Sequence, residues 1–227
     1  MKTQKFAFGT NSRRTLPFDI GGVTFFAHPL TVAEELQLAD VGDRYDLDAL
    51  EGTEVAPFIQ EQIGVLSGLL RSRVQGDVLI NPGWVEVHMG TLTLTPLLAL
   101  LRSGEKPQGS LTLTSWLDEP FTVQERTFDA LPLSFAEQLQ AGALGQDGTS
   151  REITEGSLRL LAALLTARAT DNGGKVTPEW LMANLGTADL GPLLSLIQNG
   201  PEVPDPNADE TAPEGGPASG AAGLPGS

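Results

Sequence analysis

The chain has 227 residues, a formal net charge of −15, no cysteine and two histidines, His28 and His88. The missing thiols exclude disulfides, thiolate nucleophiles and zinc–thiolate sites. The acidic balance argues against binding nucleic acid by counterion release and favours a basic or amphipathic partner. No apolar run approaches the length of a membrane span.

Residues 1–15 carry +4 (Lys2, Lys5, Arg13, Arg14) and read as a flexible basic arm. Ser12-Arg13-Arg14 hints at a twin-arginine export signal, but Asp19 and Gly21-Gly22 follow where an apolar stretch is required. Phe18-Asp19-Ile20, Gly21-Gly22 and Val23-Thr24-Phe25-Phe26 predict a β-hairpin on a two-residue glycine turn. Thr31 and Glu34 form a T-x-x-E capping box that opens a helix. An acidic stretch from Asp40 to Glu54 precedes a longer helix over 55–72, with Ile63, Leu66 and Leu70 on one stripe. Asn81-Pro82 marks a further helix start, an N-cap followed by proline at the first helical position. Trp84 and Met89 follow, and the pattern breaks at Gly90. A last helix is expected from Pro96 to a left-handed Gly104.

Much of this occurs again. Residues 29–37 match residues 132–140 at six of nine positions. Residues 82–104 match residues 178–200 without gaps at ten of 23, including Trp84/Trp180, Gly90/Gly186, Pro96/Pro192 and Gly104/Gly200. Two matches in one order imply a tandem duplication. Ser134 and Glu137 repeat the capping box, Leu158, Leu161 and Leu165 repeat the stripe, and Thr177-Pro178 repeats the helix start. The second hairpin is expected from a strand over 111–117, a turn at 118–120 and a strand over 121–128. Thr91-Leu92-Thr93-Leu94-Thr95 alternates like a strand, but Thr187-Ala188-Asp189-Leu190-Gly191 does not, so both are expected to be links or helical turns. The linkage before the long helix differs, being Gly-rich over 142–148 in the second copy.

The expected architecture is α+β and mostly helical, with each unit a short hairpin followed by three to four helices. Its parts are an arm (1–15), repeat unit one (16–104), a linker with the first strand of unit two (105–120), repeat unit two (121–200) and a tail (201–227). The units carry −8 and −4, and the tail has six prolines, five glycines and five acids without a basic residue. Such a tail cannot bury enough apolar surface to order itself.

The chemical motifs fail on inspection. An EF-hand loop starting at Asp46 needs an oxygen ligand at Leu50 and glycine at Glu51, so Asp43, Asp46, Asp48, Glu51 and Glu54 read as a solvated acidic loop. Asp171-Asn172-Gly173-Gly174-Lys175 lacks the first glycine and the hydroxyl residue of a phosphate loop and reads as a turn. Neither histidine has an evident catalytic partner. Glu34 and Glu137 read as caps rather than catalytic acids. No enzyme, cofactor or metal site is expected. Trp84 and Trp180 anchor the two small cores or, with Leu97, Leu98, Leu193 and Leu194, line a groove for a partner helix.

The segment Val176-Thr177-Pro178-Glu179-Trp180-Leu181, the helix from Leu193 to Gly200 and the acidic low-complexity C-terminus resemble the tail assembly chaperones of tailed bacteriophages. So does the hairpin running into Pro29-Leu30-Thr31 and a capped helix. Unit one departs with Asn81-Pro82-Gly83-Trp84 at the helix start. The resemblance implies a non-enzymatic protein of the host cytoplasm that binds the tape measure protein, keeps it soluble, supports tail tube assembly and leaves before the virion is complete. A structural tail or neck component and a host adaptor for a helical ligand are the alternatives. Oligomeric state and the binding face are open on sequence alone.

Overall fold

Glycine sets the first element. In the computed structural model, Gly21 and Gly22 have φ of 55° and 76° and join β1 (Leu16–Ile20) to β2 (Val23–Ala27), antiparallel with Phe18 opposite Phe25. Four helices follow: α1 (Val32–Arg44), α2 (Val55–Arg71), α3 (Pro82–His88) and α4 (Thr91–Ser103). The same order then occurs again, as β3 (Phe121–Val123), β4 (Arg126–Phe128), α5 (Phe135–Gly142), α6 (Ser150–Arg168), α7 (Pro178–Asn184) and α8 (Thr187–Asn199). The structure describes residues 16–45, 54–104, 106–107, 109–144 and 149–201. The basic arm, most of the acidic stretch, the centre of the Gly-rich link and nearly all of the tail lie outside the described residues.

Local chemistry explains the helix starts. Thr31 Oγ1 accepts the Glu34 N–H while Glu34 returns a carboxylate oxygen to the Thr31 N–H at 2.8 Å. Ser134 and Glu137 make the same exchange. So do Thr149 and Glu152 at the start of α6, a box not expected from the sequence. Asn81 and Thr177 side chains accept the Trp84 and Trp180 N–H groups, with proline next in line. Each such cap stabilises its helix by about 1 kcal/mol.

Two expectations need correction. The last helix of each half begins at Thr91 and Thr187, not at Pro96 and Pro192. The third helical residue, Thr93 or Asp189, accepts the N–H of Gly90 or Gly186 and starts the helix five residues earlier. The proline then sits in the second turn, where it removes one backbone hydrogen bond. Gly104 and Gly200 do end these helices with positive φ, 68° and 80°. The second hairpin lies entirely within 121–128, turning at Gln124-Glu125 with Gln124 at φ 55°. Residues 111–117 form no strand. Leu111 instead joins the first core, and the Trp116 N–H donates to Ala130 O.

Among the described residues there are two hydrophobic cores. The first gathers Phe18, Ile20 and Phe25 of the hairpin, Ile63, Leu66 and Leu70 of α2, Val85 and Met89 around α3, and Leu97 and Leu101 of α4. The second gathers Val123, Phe128, Leu158, Leu161, Leu165, Leu181 and Ile197. The expected stripes on the long helices are therefore buried. Helix α5 crosses over: Phe135, in its first turn, is fully buried in the first core, and Leu139 packs beside it. The Phe135 N–H donates to Met89 O at 2.8 Å. A Cβ at Gly90 would collide with Leu133 O, so glycine permits this close approach.

Candidate partner-binding surfaces

Two of the capping glutamates, Glu34 and Glu137, carry a second duty. Just beyond α2, Arg73 sends Nη1 to Glu34 Oε1 at 2.8 Å, Nη2 to Glu34 Oε2 at 3.0 Å and Nε to His28 O at 3.1 Å. At the end of α6, Arg168 reaches Glu137 with Nη1 at 2.7 Å and Nη2 at 2.9 Å, and Leu131 O with Nε at 2.9 Å. Both arginine side chains are only 2% exposed. Beside each, one backbone bridge ties the hairpin to the chain leaving the long helix, Phe25 to Val74 and Phe128 to Ala169. Hairpin, capped helix and long helix thus meet at one bidentate ion pair in each half. The Arg73 hydrogen bonds hold the Glu34 carboxyl down at about 2, against the opposing effect of burial. Burial pushes Glu137 up, but hydrogen bonds and charge from Arg168, with the Ser134 N–H, bring it below its ordinary value. Both carboxylates are committed to structure. The caps are legible in the sequence, whereas the arginines lie 39 and 31 residues away and carry no local signal.

The tryptophans occupy equivalent places with different neighbours. Trp84 is half-buried against the first core. Its ring stacks on His88 at 4.5 Å and meets Phe25 at 5.7 Å. Trp180 is half-buried against the second core, and the Arg126 guanidinium lies 5.7 Å from its ring centre. Asp171 holds Arg126 at 3.0 Å. The Arg126 hydrogen bond and the N–H groups of Gly173 and Thr127 lower the Asp171 carboxyl to about 2. The Asp171–Lys175 segment is thus a turn organised by Arg126. Among the described residues no group of three metal-ligating side chains converges.

The proposed groove residues separate into two sets. Leu97 and Leu193 point into the cores, 0% and 8% exposed, and are not available to a partner. Leu98 and Leu194 are half-buried. Leu98 borders a cleft of about 240 Å³ with Leu38, Phe58, Val65 and Leu94.

Larger clefts lie on another face of these helices. One, of about 450 Å³, is bounded by Pro96, Ala99, Leu100 and Ser103 of α4 and by Lys106 and Pro107. The other, of about 430 Å³, is bounded by Pro192, Ser195 and Leu196 of α8 and by Gly200 and Pro201. Pro96/Pro192, Ala99/Ser195 and Leu100/Leu196 are aligned pairs. The signal for them in the sequence is a proline shared by the aligned segments inside a leucine-rich helix. A proline there leaves a backbone carbonyl without its helical donor.

No single described helix is long and apolar enough to cross a membrane, and α3 and α4 are bent by 110°. Comparisons with protein-family models, with curated proteins and with solved structures find no match to this chain.

Proposed function

We propose that the chain is a tandem duplication serving as a binding scaffold, and that it acts as a tail assembly chaperone for the tape measure protein of a tailed phage. The observation that carries this reading is the pair of clefts at aligned positions on α4 and α8. A tape measure protein offers a long amphipathic helix that aggregates when bare. Two linked clefts on an acidic scaffold hold such a helix by multivalency, each contact weak enough to allow release. Leu98 and Leu194 lie on the same two helices and Trp84 and Trp180 on the preceding α3 and α7, all half-buried. The role is binding rather than catalysis. It belongs in the host cytoplasm during assembly, with tail tube subunits as secondary partners and no place in the finished virion.

Co-expression with the long tape-measure-like protein tests this. The partner should become soluble and copurify. Ala99→Asp or Ser195→Asp should weaken capture, and both together should abolish it without altering the melting temperature. Equal solubility with and without this chain, and no copurification, would overturn the reading. Stoichiometric recovery from purified particles by mass spectrometry would favour a structural tail component.

A further inference from the structure

The internal contact between the halves uses one helix face of α5, and the aligned face of α1 is uncovered. Phe135 aligns with Val32, and Leu139 with Leu36. Phe135 is 0% exposed in the first core with Leu139 packed beside it, whereas Val32 is 79% and Leu36 60% exposed. Two apolar residues one turn apart on a helix make a continuous knob, and here that knob faces solvent.

The receiving surface is also present twice and filled once. In the first half α5 settles over the end of α3, where Met89 and Gly90 are buried and the Met89 carbonyl accepts the Phe135 N–H. In the second half the aligned residues are Leu185, half-buried, and Gly186, exposed. A Cβ at Gly186 would meet only its own capping Asp189 side chain within 4 Å, whereas at Gly90 it strikes Leu133 of the docked segment. Met182, one turn before Leu185, is apolar and 61% exposed, at the position Glu86 holds in the first half. An unused knob thus sits on α1, and an unused seat at the end of α7.

We propose that the α1 knob of one copy docks on the α7 seat of a second copy, repeating between chains the contact that α5 makes with α3 within the chain. The contact is heterologous, so each copy keeps one free knob and one free seat, and the assembly grows head to tail into a ring or an open filament. The inference rests on reading the two halves as copies, and not on the identity of any other partner. Inside the chain the contact is favoured by tethering. Between chains it lacks that advantage, so assembly depends on protein concentration.

Sedimentation equilibrium of the full chain tests this. The weight-average mass should rise above 24.0 kDa with concentration through the micromolar range. The knob variant Val32→Asp/Leu36→Asp and the seat variant Met182→Asp should each stay at the monomer mass, with unchanged circular dichroism and melting temperature. Their equimolar mixture should form a dimer and grow no further, because it retains one intact knob and one intact seat per pair. A wild-type mass that stays monomeric overturns the proposal. So does a seat variant that still assembles alone, which would mean that two α1 faces pair symmetrically. Neither result bears on capture of the tape measure protein, which the copurification experiment measures separately.

Discussion

The two halves share a frame and differ in what surrounds it. In each, a bidentate arginine–glutamate pair locks the hairpin to the capped and long helices. Around that lock the halves diverge. Helix α1 has 13 residues and presents Val32 and Leu36 to solvent, while α5 has 8 and drives Phe135 into the opposite core. Trp84 lies against aromatic rings, Trp180 beneath a cation. The lesson is that buried polar geometry specifies the unit, and exposed or half-buried positions are where otherwise similar units take different neighbours.

The aligned residues Phe135 and Val32 separate the two halves most strongly. Phe135→Ala empties a fully buried site and should cost about 3–5 kcal/mol. Val32→Ala, at an exposed site, should stay within about 0.5 kcal/mol in the monomer. Urea denaturation of both variants below the assembly range checks this. Equal costs would mean that α5 is not anchored in the first core.

The locks should behave alike. Glu34→Ala and Glu137→Ala each strand a buried guanidinium and should cost about 3–5 kcal/mol. Replacing a whole pair, as in Glu34→Gln/Arg73→Met, should cost less than Glu34→Ala, because no charge is left buried without its partner. A strong asymmetry between the two halves in urea melts would argue against a shared frame.

Acid should act through the same groups. Glu34 is held at about 2 against an ordinary 4.5, and Glu137 is also lowered. Carboxylates depressed in the folded state add stability that is full above the ordinary value and lost as pH falls through the folded one. Stability should therefore be flat above about pH 5 and decline as pH falls from there toward 2. Glu34→Gln should remove part of that slope. Denaturation curves across this window test the sign, and an unchanged slope in the variant would exclude Glu34 as a contributor.

The smallest effect belongs to the tryptophans. A double-mutant cycle between Arg126 and Trp180 should give a coupling of about 0.5–1 kcal/mol. Trp84 has no equivalent cation, since Val23 aligns with Arg126. Trp84→Ala and Trp180→Ala should therefore differ in their effect on partner capture after correction for stability.

Much of the fold was legible because its signals are short-range. A capping box spans four residues and an N-cap with proline spans two, and each satisfies its own backbone groups wherever the segment lies. The start of α4 was misplaced because Pro96 is a louder signal than the side chain of Thr93, which caps Gly90 instead. The second hairpin was misplaced because residues 111–117 have β-prone composition but spend Leu111 on the first core and the Trp116 N–H on Ala130. Leu97 and Leu98 look equivalent in sequence, although only Leu97 is buried completely.

Most of the elements, their order and the matched positions of the two halves are legible in the sequence, because periodicity, caps and turn glycines act within a few residues. Tertiary structure decided which caps became ion pairs, which leucines turned inward and which helix face crossed into the neighbouring core. Those outcomes depend on groups brought together over long separations. Arg73 meets Glu34, and Phe135 meets Met89, only after the chain has folded back, and their desolvation has no local signature.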